Sequence, residues 1–283
     1  MQNILLTPAI DRLLDLALEE DLGAGDVTTR ALIPPELQGE AHIRAKEKLV
    51  VAGLPLAARV FQKLAPEVQF APQVQDGQEV DPAAVLAILT GPVAPILTGE
   101  RVALNFMQHL SGIATFTKKM VEAVAYLPVA LVDTRKTTPG WRVLEKYAVR
   151  LGGGRNHRGG LSDGVLIKNN HLTAVGSITE AVRRARKKAP HTLKIEVEVT
   201  SLAQLEEALG IGADVILLDN MTDADMARAA DLTLGRALLE ASGSMTLERL
   251  PQVAATRVNF ISVGALTHSA PAVDIHLRLI KTW

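Results

Sequence analysis

Cysteine is missing from all 283 residues. Its absence excludes disulfides, iron–sulfur clusters, thiolate nucleophiles and Cys-ligated zinc, and fits a reducing compartment. An excess of either charge is missing too: 30 Lys and Arg stand against 31 Asp and Glu, a formal net charge of −1. That balance argues against a nucleic-acid partner held by overall positive charge, and leaves room only for a local basic pocket. Long apolar runs are lacking. The longest stretch without a polar or charged residue, 49–58, is far too short to span a bilayer and contains Gly53 and Pro55. No Lys or Arg precedes Arg12, so the basic start of a secretory signal is not seen. The expectation is a cytoplasmic protein with no membrane or nucleic-acid partner. What is present in quantity is core material, 48% hydrophobic residues, enough for about two domains.

Two styles of sequence follow one another. Thr7 as N-cap and Pro8 at the first helical position open a helix that carries Leu13, Leu14, Ala17 and Leu18 and stops at Gly23 and Gly25. Extended runs at 41–46 and 49–51, with a charged turn between, predict a hairpin. A helix over Leu54–Leu64 follows, then extended runs at 68–74 and 85–89 around the Asp76-Gly77 turn. A helical stretch over 96–126 is expected to break or bend near Ser111-Gly112. This irregular mixture reads as an α+β domain. From residue 129 the pattern turns regular. Apolar runs at 129–133, 164–168, 193–199, 214–219, 236–240 and 258–263 alternate with helices, two of which open on Ser177 with Glu180 and Ser201 with Gln204. Six such units without a dinucleotide fingerprint predict a parallel α/β barrel rather than an open sheet.

In such barrels chemistry sits at the C-terminal ends of the strands. Those ends carry Asp133-Thr134-Arg135-Lys136, Lys168-Asn169-Asn170-His171, Glu198, Asp219-Asn220, Ser242-Gly243-Ser244 and Ser262-Val263-Gly264. The run 193–199 alternates, with Leu193, Ile195, Val197 and Val199 on one face and Lys194, Glu196 and Glu198 on the other. The apolar face must meet the helices, so the charges point inward, where they need partners or a ligand. Lys194 and Glu196 can satisfy each other; Glu198, nearest the catalytic end, is the better candidate for function. Arg135, Lys136, His157, Arg158, Lys168 and His171 fall at or near strand ends, and Arg101 heads an earlier helix. Six convergent groups of this kind in a nearly neutral chain imply a strongly anionic ligand. The loops 242–244 and 262–265 precede helices and are placed to offer backbone N–H groups to a phosphate.

Other motifs fail on context. Gly160 to Gly164 matches G-x-S-x-G, but a glycine loop precedes the Ser and a strand follows it, the reverse of a nucleophile elbow. Gly154 to Gly159 has Walker-type spacing without the Lys-Ser/Thr that should follow. No H-E-x-x-H zinc motif occurs.

Longer strings carry a resemblance. Residues 20–29 (EDLGAGDVTT), 100–115 (ERVALNFMQHLSGIAT), 133–140 (DTRKTTPG), 153–158 (GGRNHR), 166–171 (LIKNNH), 196–199 (EVEV), 218–220 (LDN) and 261–269 (ISVGALTHS) resemble the quinolinate phosphoribosyltransferase family, in order and over almost the whole chain. The resemblance implies an N-terminal α+β sandwich domain (1–112), a C-terminal parallel α/β barrel (113–270) with seven strands where six runs are counted, and a C-terminal helix (271–283) packing back on the first domain. It implies transfer of a phosphoribosyl group from phosphoribosyl pyrophosphate to quinolinate, giving nicotinate mononucleotide, pyrophosphate and CO2, with Mg2+ and no organic cofactor. Thr134, Arg135, Lys136, His157, Arg158 and Lys168 would line the quinolinate and pyrophosphate site. Glu198 and Asp219 would bind the ribose hydroxyls or Mg2+. Ser242, Gly243, Ser244, Ser262, Val263 and Gly264 would hold the 5′-phosphate. Lys136, Lys168, Glu198 and Asp219 would carry the catalysis. Family members are homodimers or larger, and Arg101 would enter the neighbouring subunit's site. Ser244 departs from the family, where Gly or Asn is expected. Two other readings stay open: a related phosphoribosyltransferase acting on a different base, and a non-catalytic barrel that binds sugar phosphates.

Overall fold

The computed structural model describes residues 6–283. Its strands are β1 (Gln38–Ala45), β2 (Leu49–Val50), β3 (Gln69–Pro72), β4 (Glu79–Val80), β5 (Val85–Pro92), β6 (Ala130–Val132), β7 (Val165–Ile167), β8 (Ile195–Val199), β9 (Val215–Asp219), β10 (Leu238–Ser242), β11 (Phe260–Ser262) and β12 (Ile275–Thr282). The chain forms two compact units. One takes the chain up to Lys118, Pro139–Gly152 and Ala270–Trp283; the other takes Lys119–Thr138 and Gly153–Ser269. The split expected at residue 112 therefore differs in two respects: the first unit runs on to Lys118, and it also takes the segment Pro139–Gly152. The expected domain start at residue 1 lies outside the described residues.

In the first unit the opening helix forms as its caps dictate. Thr7 Oγ1 accepts the N–H of Ile10 at 3.3 Å, Pro8 takes the first turn, and Ile10, Leu14 and Leu18 are buried. The sheet runs β12-β1-β5-β3, antiparallel throughout. The predicted hairpin between β1 and β2 does not form. Both edges of β1 are taken by β5 and β12, while β2 pairs with β4. The charged turn serves the pairing with β12 instead: Lys46 donates its N–H to Asp274 O at 3.0 Å and its ammonium to the Asp274 carboxylate at 3.1 Å.

The C-terminal segment is a correction. The helix expected over 271–283 is the strand β12, paired with β1 from Ala45↔Ile275 to Gly39↔Thr282. Its period is two, with Ile275, Leu277 and Leu279 alternating with His276, Arg278 and Ile280. The break expected at Ser111-Gly112 is a second correction, because the helix Val93–Glu122 runs through it. Ser111 Oγ accepts the N–H of Ala52 at 2.9 Å and donates to its carbonyl at 3.2 Å. A Cβ on Gly112 would lie 2.1 Å from Pro271 O. The small pair lets other backbone come close to an unbroken helix.

The second unit is built on parallel strands in the order β6-β11-β10-β9-β8-β7, so β6, the first in the chain, lies beside β11, the last. The free side of β6 carries one further parallel bridge, Val132 to Arg155. This single residue stands where a seventh strand would be, and among the described residues no ladder joins it to β7. Helices follow the strands with the expected caps: Ser177 Oγ accepts from Glu180 N at 3.2 Å, and Ser201 Oγ from Gln204 N at 3.3 Å. In β8, Ile195, Val197 and Val199 are buried, and so are Glu196 and Glu198 on the other face. Among the described residues no helix is long and apolar enough to cross a membrane.

Candidate active site

The strand ends of the second unit enclose a cavity of about 580 Å³. Thr134, Arg135, Lys136, His157, Arg158, Lys168, Glu198, Asp219, Ser242 and Ser262 line it, together with Leu166, Leu217, Asn220 and Glu240. Asp133, fully buried at the end of β6, organises one wall. Its carboxylate accepts from Asn156 Nδ2 at 2.6 Å and from the N–H of His157 at 2.9 Å, tying the loop after Arg155 to the loop after β6. Lys136 is set from both sides: its N–H donates to Thr134 Oγ1 at 3.0 Å and its carbonyl accepts from Thr267 Oγ1 at 2.7 Å. Lys168 Nζ donates to Glu198 Oε2 at 3.2 Å, and the N–H of Asn169 reaches Glu198 Oε1, also at 3.2 Å. Arg158 donates to Gly164 O at 3.0 Å. Burial, and then the neighbouring charge of Arg135, pushes its guanidinium below the ordinary arginine range.

A second cavity, about 470 Å³, lies further down the barrel. It shares His157, Arg158 and Glu240 with the first and reaches Lys194, Thr192 and Asp163. Between the two sits a buried layer in which His157 Nε2 is 3.0 Å from Glu196 Oε2 and 3.6 Å from Glu240 Oε2. The spacing of these three residues would suit a metal ion, but the imidazole argues otherwise. Nδ1 accepts the N–H of Arg158 at 2.7 Å, so in the neutral ring Nε2 carries the proton and donates to Glu196. With both nitrogens engaged, His157 holds the backbone of Arg158 and the carboxylates beneath it. Glu196 thus has a different partner from the one expected. Lys194 is exposed, at the far cavity.

The phosphate-loop expectation divides. Ser242 and Ser262 line the upper cavity, whereas Gly243, Ser244, Val263 and Gly264 are not among its lining residues. Val263 is a correction: it is buried, and its N–H donates to Val132 O at 2.9 Å, so the barrel wall and not a phosphate takes that group. Gly264 allows close approach, since a Cβ there would meet His268 Nε2 at 3.0 Å and Lys136 Cδ at 3.1 Å. His171 accepts the N–H of Lys168 at Nδ1, 2.9 Å away, which fixes the turn that carries the lysine. Arg101 is exposed on the helix Val93–Glu122 of the other unit.

Ser244 has φ +46°, the left-handed region that glycine enters freely. Ser244→Gly is therefore expected to stabilise the protein by roughly 0.5–1 kcal/mol, raising Tm by about 1–3 °C. Thermal unfolding decides it, and a lower Tm would mean that the Ser side chain makes a compensating contact.

Sequence reasoning missed Glu240 and the apolar patch of Leu166 and Leu217, and named Asn220 at a strand end without giving it a role. A signal existed for the first. Glu240 interrupts an apolar run just as Glu196 does, and on β10 it points to the same interior.

Comparison with known proteins places the chain among relatives along nearly its whole length. The family model for the N-terminal domain of quinolinate phosphoribosyl transferase matches residues 26–111, and the model for its C-terminal domain matches residues 113–278. A probable nicotinate-nucleotide pyrophosphorylase [carboxylating] of Synechocystis is 46% identical over 275 residues, covering 96% of this chain and 93% of that protein. A quinolinate phosphoribosyltransferase [decarboxylating] of Nicotiana tabacum is 40% identical, covering 94% of this chain and 81% of that protein. The crystal structure of NadC from Streptococcus pyogenes superposes with a TM-score of 0.92 at 42% identity, over 98% of this chain and 99% of that one. Fold and matched length agree, and the chain belongs to the quinolinate phosphoribosyltransferase family.

Proposed function

We propose that this chain catalyses decarboxylating phosphoribosyl transfer in NAD biosynthesis, in the cytoplasm: quinolinate and phosphoribosyl pyrophosphate give nicotinate mononucleotide, pyrophosphate and CO2. One observation carries the reading. Arg135, Arg158, Lys136 and Lys168 share a single pocket with the carboxylates Glu198 and Asp219. The crowding of Arg158 by Arg135 is relieved by a ligand with two negative charges, and guanidinium forks match carboxylates. Leu166 and Leu217 supply an apolar surface for a flat ring.

The chemistry follows from the charges. Positive charge develops on the sugar carbon as pyrophosphate leaves, and Glu198 and Asp219 stabilise it, while Lys136 and Lys168 receive the negative leaving group. Glycosylation makes the ring nitrogen cationic, and that charge stabilises the electron pair left on the adjacent ring carbon when its carboxylate departs as CO2. Mg2+ takes oxygen ligands, and the donors here fit it. Among the described residues the Asp219 carboxylate makes no side-chain hydrogen bond or ion pair, and Glu198 lines the same pocket. Asp219 and Glu198 would hold the ion, which neutralises diphosphate charge when bound. His157 and Thr134 shape the base end of the pocket, and the loops bearing Ser242 and Ser262 face the sugar phosphate.

The decisive assay follows CO2, pyrophosphate and nucleotide with quinolinate or nicotinate as acceptor. Equal release with quinolinate alone supports the reading. Turnover of nicotinate would move the protein to a related transferase, and binding of the sugar phosphate without turnover would make it a non-catalytic barrel.

The protein acts as a homodimer or larger assembly in which Arg101 enters the neighbouring subunit's pocket. Mixing Arg101→Ala subunits with Lys168→Ala subunits is expected to restore part of the activity that each lacks alone, because mixed pairs hold one intact site. Proven subunit exchange with no recovery would remove Arg101 from the shared site.

A further inference from the structure

We infer that Glu240 is the acid that protonates the ring carbon from which CO2 departs. This rests on the reading that quinolinate lies against Arg135 and Arg158. Loss of CO2 leaves an electron pair on a carbon that bears hydrogen in the product, so a proton must arrive inside the pocket. Most groups lining it are poor sources. The guanidinium groups keep their protons at all accessible pH, and Lys168 is held by Glu198. Asp219 lies at the mouth, at the end of β9.

Glu240 is different. It projects from the middle of β10, is 3% exposed, and lines the upper cavity, where the arginines are, as well as the lower one. Its Oε1 is buried with no hydrogen-bond partner among the described residues. The groups that face it explain how it keeps a proton. Glu196 on β8 and Asp133 beyond β6 are negative and oppose its ionisation. His157 Nε2 and Ser262 on β11 favour ionisation, but less strongly than burial disfavours it, and the carboxyl is raised well above the ordinary glutamate range. A buried acid kept neutral beside a substrate pocket is poised to donate.

The step balances. The carbon–carbon bond to the departing carboxylate breaks and leaves its electron pair on the ring carbon as CO2 leaves. That pair takes the proton from the Glu240 carboxyl, the O–H bond breaks, and Glu240 becomes a carboxylate. Water entering by the lower cavity, which reaches the exposed Lys194, returns the proton.

The test is single-turnover kinetics of Glu240→Gln with both substrates, following pyrophosphate and nicotinate mononucleotide separately. The expected result is pyrophosphate release and quinolinate KM within about threefold of the parent, with nucleotide formation slowed by about 10²–10⁴-fold. Nucleotide formation at the parent rate overturns the inference, and so does equal slowing of both products, which marks a structural loss. Should the variant fail to fold, the parent protein still decides: its nucleotide-forming step should slow as pH rises from 6 to 9, and a flat profile overturns the inference. Arg135→Ala tests the underlying reading separately. It should raise quinolinate KM tenfold or more, and an unchanged KM would sink the pocket assignment whatever Glu240→Gln does.

Discussion

Lys168→Ala is expected to lower kcat by at least about 10²-fold while moving Tm by no more than about 3 °C. The two halves of this expectation have separate causes. Lys168 follows β7 as the N-cap residue of the helix Asn169–Val175, its side chain is half exposed, and its partner is a single carboxylate oxygen of Glu198 at 3.2 Å. A pair so open to water contributes between zero and about 1 kcal/mol to stability. In the occupied pocket the same ammonium meets the charge that develops on the leaving pyrophosphate, in a space with less water, and removing such a group costs about 3–4 kcal/mol of transition-state stabilisation. The loss is compounded because Glu198 is left without the cation that orients it. Lys168→Arg keeps the charge but replaces a compact ammonium with a planar fork, and should recover only part of the rate. Steady-state CO2 release together with thermal unfolding checks both halves. Parent-like turnover would place Lys168 outside the chemistry, and a fall in Tm of ten degrees would make it a structural residue.

The features legible in the amino-acid order are those whose cause is local. The Thr7 cap, the Ser177 and Ser201 caps and the period-two run of β8 each depend on residues within a few positions, and all formed as expected. The cations gathered at strand ends were legible because a parallel barrel sends every such end to one face. What was misread depends on distant partners. Ser111-Gly112 looks like a helix break until Ala52 and Pro271 are brought against it. The first strand looks like half of a hairpin until β12, more than two hundred residues later, takes its edge. The N–H of Val263 looks available to a phosphate until β6 lies alongside β11 and claims it. Lys194 and Glu196, two apart on one strand, seemed natural partners, but His157 reaches Glu196 first. In each case the competing contact is one that only the closed fold supplies.

Glu240→Gln should make the protein more stable at pH 8, and this is the largest stability effect expected here. In the folded protein burial and then the nearby Glu196 raise the Glu240 carboxyl to about 7, against 4.5 ordinarily. Below pH 4.5 both the folded and the unfolded chain hold the proton, and the residue carries no electrostatic penalty. As pH rises from 4.5 to 7 the unfolded chain releases the proton while the folded one retains it, and stability falls by up to about 1.4 kcal/mol per pH unit, on the order of 3 kcal/mol in all. Above pH 7 the folded protein also ionises and the penalty stays constant. Glutamine removes the charge, keeps the shape, and can donate to the unpaired oxygen of Glu196. Tm of the variant should therefore exceed that of the parent by roughly 5–10 °C at pH 8, with the gain vanishing near pH 4.5. Melting curves across that range check it, and a pH-independent difference would mean that packing, not ionisation, sets the effect. The ionisation penalty thus falls on the same buried carboxyl to which the proton-donor role is assigned, so the melting curves and the single-turnover assay test one group by two independent readouts.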